Sequence, residues 1–128
     1  MHEFAVCQAL LTEVQRISRE HCARAVTRIV VRMGPLSGVE PRLLERAFDF
    51  ARVGSVAAEA ELCIESTPVR VQCLECDGES EPLPNRLVCA HCGGWRTRLI
   101  SGDELLLQRL VFDAAASGDA ASERLRYH

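Results

Sequence analysis

The chain is 128 residues long, which fits one domain or one domain carrying a small insert. An apolar fraction of 48% is enough for a packed core, and a formal net charge of -3 argues against a dedicated nucleic-acid binder, which would carry a basic excess. Apolar runs stay short of the roughly 18 residues that a membrane-spanning helix needs, so no membrane segment is expected.

From the N-terminus, residues 4 to 19 place Phe4, Cys7, Leu11, Val14 and Ile17 at intervals of three and four. Val6 and Leu10 widen this stripe, and Glu13, Gln15, Arg16, Arg19 and Glu20 supply a polar side, which predicts an amphipathic helix. TRIVVRM then alternates, with Ile29, Val31 and Met33 on one face and Arg28, Val30 and Arg32 on the other, the period of a half-buried strand. GPLSG breaks the chain. In VEPRLLERAFDFARVG, Glu40 suits a helix cap, Pro41 the first helical position and Gly54 the stop. Leu43, Leu44, Ala47, Phe48 and Ala51 form the apolar stripe of this second helix. AEAELCIES alternates again, Ala60, Leu62 and Ile64 inward and Glu59, Glu61, Cys63 and Glu65 outward. If the two strands pair, the carboxylates lie opposite Arg28 and Arg32; otherwise they are a solvated face.

Residues 69 to 99 hold few large apolar side chains and are too small a segment to fold by burial. DELLLQRLVFD reads as a third strand, apolar enough to be central or covered on both faces. Residues 114 to 128 lose the pattern and are expected to form a frayed or disordered tail. The predicted fold class is α+β: a small three-stranded sheet with two helices, drawn from residues 1–68 and 100–113, interrupted by an insert at 69–99.

The insert carries Cys73 and Cys76 in CLEC and Cys89 and Cys92 in CAHC, with twelve residues between the pairs. Each CxxC turn points two thiolates the same way, and two facing turns give a tetrahedral sulfur cage, as in a zinc ribbon. Gly78, Gly93 and Gly94 let the turns close. Four thiolates complete the coordination of Zn²⁺ and leave no open position, the mark of a structural site. Iron in a rubredoxin-like site, an iron-sulfur centre and a redox dithiol are the alternatives. His91, inside the second pair, reads as a bystander imidazole, because the cage is already full. Cys7, Cys22 and Cys63 read as small apolar residues or spare thiols, and in a reducing compartment none of the seven is expected in a disulfide.

The start, Met1-His2-Glu3, offers a second metal site. Glu3 stands where a secretory leader would be positively charged, so no signal peptide is expected and the chain reads as cytoplasmic. A bulky second residue is expected to keep Met1 in place. Its amine and the His2 imidazole then sit close enough to chelate one ion. The first amides of a helix have no intrahelical partner, so those of His2 and Glu3 can yield their protons to a metal. Amine, amide and imidazole nitrogens in a plane suit Ni²⁺ or Cu²⁺. The positive end of the helix dipole opposes a cation there, and Glu3 offsets it.

MHE at the start, GPLSGVEP after the first strand, the paired CxxC insert and the closing SGDELLLQRLVF occur in one order over residues 1 to 113. In that order they resemble the hydrogenase nickel-incorporation proteins, the HypA/HybF family. The resemblance implies a nickel metallochaperone, not an enzyme, serving maturation of NiFe-hydrogenase. It implies nickel at Met1, His2 and Glu3, structural zinc at Cys73, Cys76, Cys89 and Cys92, and an acidic contribution from Glu40 ahead of the second helix. It also implies two partners, a HypB-type GTPase and the hydrogenase large-subunit precursor, and it leaves a homodimer open. The knuckles lack the extra flanking histidines of some urease-linked members, which counts against a urease role.

Two other functions compete. GGWRTR offers Trp95 for stacking and Arg96 and Arg98 for phosphates, as a zinc-ribbon nucleic-acid module would. The acidic net charge opposes this, and Trp95 is more simply a cover for the metal knuckle. A zinc enzyme is disfavoured by the closed cage and by the absence of a nucleophile or paired acid-base constellation.

Overall fold

A computed structural model describes residues 2–114 and 120–121. Met1 lies outside them, as does most of the expected tail. Helix α1 (His2–Glu20) begins two residues earlier than the apolar stripe suggests. Strand β1 (Ala23–Met33), helix α2 (Pro41–Ala51) and strand β2 (Glu61–Ser66) follow, and β6 (Leu105–Ala114) closes the first sheet. Three short strands, β3 (Arg70–Cys73), β4 (Glu79–Ser80) and β5 (Thr97–Ser101), form a second sheet in the order β4-β3-β5. The expected α+β class with two helices is observed. The first sheet, however, has a fourth member, the two-residue β7 (Ala120–Ala121), and runs β2-β1-β6-β7.

The register of the first sheet follows from which side chains need burial. β1 is central, parallel to β2 through the α2 crossover and antiparallel to β6. Ile29 and Val31 lie beside Leu62 and Ile64 on one flank and beside Leu110 and Leu107 on the other. A slip of one residue would turn this whole row to solvent. α1 presents Val6, Cys7, Leu10, Leu11, Val14 and Ile17 to that row, and α2 adds Leu44, Ala47 and Phe48, giving one apolar cluster. On the opposite face Arg28 meets Glu61 at 3.0 Å and Arg32 meets Glu65 at 3.7 Å, so the outward carboxylates do pair across the strands.

Leu43 corrects the predicted α2 stripe. It points away from the cluster and is 45% exposed, because the contact with α1 and the sheet is narrow enough to be filled by Leu44, Ala47 and Phe48. Glu40 caps α2 by accepting the Arg42 amide at 3.3 Å, with Pro41 at the first position as expected. The helix itself ends at Ala51, capped by Arg52, whose guanidinium lies over the Phe48 ring at 4.8 Å and donates to the Ala58 carbonyl. Gly54 (φ +76°) comes in the following turn.

The passage between the sheets explains two sequence motifs. Gly34 of GPLSG and Gly102 of SGDE touch backbone to backbone: a Cβ on Gly34 would fall 2.1 Å from the Gly102 carbonyl oxygen. The Leu36 amide donates to that oxygen at 2.7 Å, and the Gly34 amide donates to the Glu104 carbonyl at 2.9 Å. Gly102 (φ +119°) also abuts Val69, where the chain enters the second sheet. The outgoing and returning segments are joined by the Ser101 hydroxyl, which donates to the Pro68 carbonyl at 2.9 Å.

Candidate metal centres

The second sheet brings the two CxxC turns face to face. Cys73 Sγ lies 3.6 Å from Cys92 Sγ, and Cys76 Sγ lies 3.7 Å from Cys89 Sγ. All four sulfurs fall within 4.8 Å of one another. A tetrahedral zinc site with Zn–S bonds of about 2.3 Å has sulfurs about 3.8 Å apart, so the observed spacing fits the ion.

The two turns are built alike. Cys73 N–H donates to the Gly78 carbonyl and Asp77 N–H to the Cys73 carbonyl; Cys89 N–H donates to the Gly94 carbonyl and Gly93 N–H to the Cys89 carbonyl. Both patterns place a left-handed residue after the second cysteine, Asp77 (φ +62°) in one and Gly93 (φ +76°) in the other. Amides also point at the first sulfur of each pair: Glu75 and Cys76 donate to Cys73 Sγ, His91 and Cys92 to Cys89 Sγ.

Those amides have an electrostatic effect. The Cys92 N–H, aided by that of His91, draws the Cys89 thiol down to about 6. At Cys92 the Gly94 amide acts in the same sense, but the contacts with the other three thiols and burial together outweigh it and push the group up to about 12. Four sulfurs this close cannot share negative charge without a cation among them, which is what a metal cage requires. The remaining thiols differ. Burial pushes Cys7 up to about 11, Cys22 is exposed at the α1–β1 turn, and Cys63 lies half-buried on the outer sheet face.

Two expectations around the cage change. His91 is more than a bystander: its Nε2 lies 3.1 Å from the Glu79 carbonyl oxygen, and its ring lies near Gly78, joining the second turn to the strand beside the first. Trp95 does not cover the knuckle. It is 77% exposed, because Gly93 and Gly94 turn the chain outward before it. Residues that sequence reasoning passed over also hold the second turn. The buried Ser80 accepts the Ala90 amide at 3.1 Å, and Thr97 donates to the Leu87 carbonyl at 2.9 Å. A lone serine and a lone threonine carry no spacing signal that would have singled them out.

His2 is exposed at the first position of α1. Glu3 Oε2 accepts the Glu40 amide at 3.2 Å, which joins the start of α1 to the start of α2. That amide holds the Glu3 carboxyl below its ordinary value. Glu3 and Glu40, far apart in sequence, are thus neighbours, with the Glu40 carboxylate turned to its own helix cap. Among the described residues, the cysteine cage is the group of three or more ligating side chains gathered around one point. His2, Glu3 and Glu40 are not gathered in that way.

Residues 1–112 match the family model described as hydrogenase/urease nickel incorporation, metallochaperone, HypA. A hydrogenase maturation factor HypA of Aquifex aeolicus is 44% identical over 113 residues, covering 88% of this chain and 98% of the relative. That of Nitrosospira multiformis is 46% identical over 107 residues, covering 84% and 93%. The fold is also similar to the solution structure of the Ni metallochaperone HypA from Helicobacter pylori, with a TM-score of 0.64, 26% identity, and coverage of 88% of this chain and 97% of that one. The chain belongs to the HypA hydrogenase/urease nickel-incorporation family, a family of metallochaperones and not of enzymes.

Proposed function

We propose that this protein takes up Ni²⁺ at its N-terminus and delivers it to the large-subunit precursor of a NiFe-hydrogenase, while Zn²⁺ in the cysteine cage is structural. The observation that carries this reading is the family match, which runs from the first residue and so includes the Met-His-Glu start. In the proposed site the Met1 amine, the His2 imidazole and main-chain amides supply nitrogen donors to the cargo ion. Glu3 supplies negative charge at the helix end whose dipole would otherwise repel a cation. Its bond to the Glu40 amide holds it in place, and Glu40 acts through that contact.

A site at a chain end is open on most sides, which suits uptake and release. The cage suits the opposite task. Cys73, Cys76, Cys89 and Cys92 together exhaust a tetrahedral ion's coordination, and zinc bound there would fasten the two turns. We assign residues 1–68 with 100–113 to the nickel-binding unit and 69–99 to the zinc-binding unit. A HypB-type GTPase is the proposed source of nickel or its companion in delivery, and the cytoplasm the proposed location. No helix among the described residues is long and apolar enough to cross a membrane.

Transfer tests the assignment. Nickel-loaded protein is mixed with purified, nickel-free large-subunit precursor in the presence of a competing chelator, and nickel in the re-isolated precursor is measured. Delivery predicts nickel in the precursor above the level reached with free Ni²⁺ under the same chelator. Equal levels in the two arms would remove the delivery role.

A further inference from the structure

Trp95 is the single tryptophan of the chain, and it is 77% exposed. Nothing in the knuckle uses its large apolar surface, which is the kind of exposure that marks a contact with another molecule. Beside it Leu74 is 56% exposed, and its amide donates to the Arg96 carbonyl at 2.8 Å, carrying the β3–β5 ladder past the ends of the strands. The alternation of β3 buries Val71 and Cys73, so Gln72 and its cross-strand neighbour Arg98 face the other way. Arg98 and Ile100 are the exposed positions of β5, the outermost strand on its side of the β4-β3-β5 sheet. Trp95, Leu74, Arg96, Arg98 and Ile100 thus follow one another along that strand.

Charge is sorted across the same sheet. Residues 69–99 hold as many carboxylates as guanidinium groups: Glu75, Asp77, Glu79 and Glu81 against Arg70, Arg86, Arg96 and Arg98. On the β4 side Glu79 and Glu81 hold Arg70, at 2.8 and 3.5 Å. Glu75, the carboxylate nearest Trp95 in the ladder, lies against Gly94 on the side of the Cys92 sulfur. On the β5 side Arg96 and Arg98 enter no ion pair among the described residues, and Arg98 donates to the neutral Gln72 side chain.

We infer that this strip of the second sheet docks an acidic, extended segment of a partner protein. The segment lies along β5, with carboxylates on Arg96 and Arg98 and an apolar side chain against Trp95 and Leu74. Tryptophan and arginine are the side chains that most often anchor protein interfaces, and a guanidinium fork matches a carboxylate in geometry as well as charge. Carboxylates at alternate positions of an extended segment fall on one side of it, which suits two arginines set two residues apart. A nucleic acid fits less well. The carboxylates of this module equal its arginines in number, and a cage of four thiolates around a divalent ion adds further negative charge, so a phosphate chain gains little by approaching it. The docking surface uses the shape of the second sheet and is independent of the nickel reading.

Titration of the untagged, zinc-loaded chain with a short peptide of alternating Asp and Leu tests it. Binding is read from the anisotropy of a labelled peptide and, with unlabelled peptide, from Trp95 emission, which as the single tryptophan reports this surface alone. The wild type should bind saturably, with a blue shift of the emission. A peptide with Asn in place of Asp, which leaves the protein unaltered, should bind about tenfold or more weakly. The double variant Arg96→Glu, Arg98→Glu should lose the Asp-Leu peptide and take up an Arg-Leu peptide that the wild type does not bind. Trp95→Ala should weaken the labelled Asp-Leu peptide about tenfold. Zinc content checks that each variant keeps its fold. A wild type without saturable binding, or equal binding of the Asp and Asn peptides, overturns the proposal. A single-stranded oligonucleotide that binds this surface more tightly than the Asp-Leu peptide overturns it in favour of nucleic acid.

Discussion

The helix-covered sheet and the cysteine-bearing sheet are held by different forces. The first buries one apolar cluster drawn from α1, β1, α2 and β6, to which no residue from 65 to 104 contributes. The second has very little to bury: within β3–β5 and the two knuckles the buried apolar residues are Val71 and two of the ligands themselves, Cys73 and Cys89. Its order comes from the cage and from main-chain hydrogen bonds at the two turns. One chain thus contains a part that folds by excluding water and a part with too little to bury for that, whose four gathered thiols could hold a metal ion. A metallochaperone that must release one metal has reason to hold the other in a closed site, so that losing cargo does not cost structure.

The sharpest way to break this comparison is to remove a ligand. Cys73→Ser should release the zinc, with loss of about 10 kcal/mol or more of binding energy that serves as folding energy for so small a module. Amide exchange should then speed up over residues 70–101 while α1 and β1 stay protected. Uniform loss of protection would mean the two parts are one cooperative unit. The reciprocal change is Leu44→Ala, which empties a fully buried site in the first cluster. It should lower stability by about 2–5 kcal/mol, read as a fall in the main melting transition, and leave zinc content unchanged. Zinc loss in that variant would contradict the separation.

A smaller effect is expected where the two helices meet. The Glu40 amide lowers the Glu3 carboxyl from its ordinary value of 4.5. A group depressed in the folded state stabilises above its unfolded value and loses that contribution as pH falls through the depressed one. The wild type should therefore lose a little stability on acidification across that range, and Glu3→Gln should flatten this part of the profile. Melting temperatures of the two proteins through the acid range would show it; identical slopes would mean that the Glu3–Glu40 contact has no energetic weight.

Periodicity made most of the first sheet legible before any coordinates. The alternation in TRIVVRM and AEAELCIES gave the buried rows, because a strand has only two faces, but left the outward carboxylates open between a solvated face and the arginine–glutamate ladder that the strand pairing forms. The CxxC pairs gave the cage, because thiolate chemistry fixes the spacing. What stayed hidden depended on tertiary shape. Leu43 and Leu44 are alike in sequence, and only the narrowness of the helix contact sends one inward and the other to solvent. Trp95 was expected to cover the knuckle, but its position is set by the turn at Gly93. The Gly34–Gly102 contact joins positions remote in sequence, and neither motif alone shows why a side chain is excluded. At the N-terminus, sequence chemistry pointed to His2 and Glu3 and the family resemblance to Glu40, and the fold bonds the Glu40 amide to the Glu3 carboxylate.

The central claim is that cargo and structural metal occupy separate sites, with His2 serving only the first. It is tested most directly by titrating nickel into zinc-loaded, untagged wild type and His2→Ala while zinc is quantified in both. The account predicts that the wild type binds nickel without losing zinc, and that His2→Ala keeps its zinc and its fold but loses nickel binding. Full nickel affinity in His2→Ala, or zinc released as nickel enters, would contradict it.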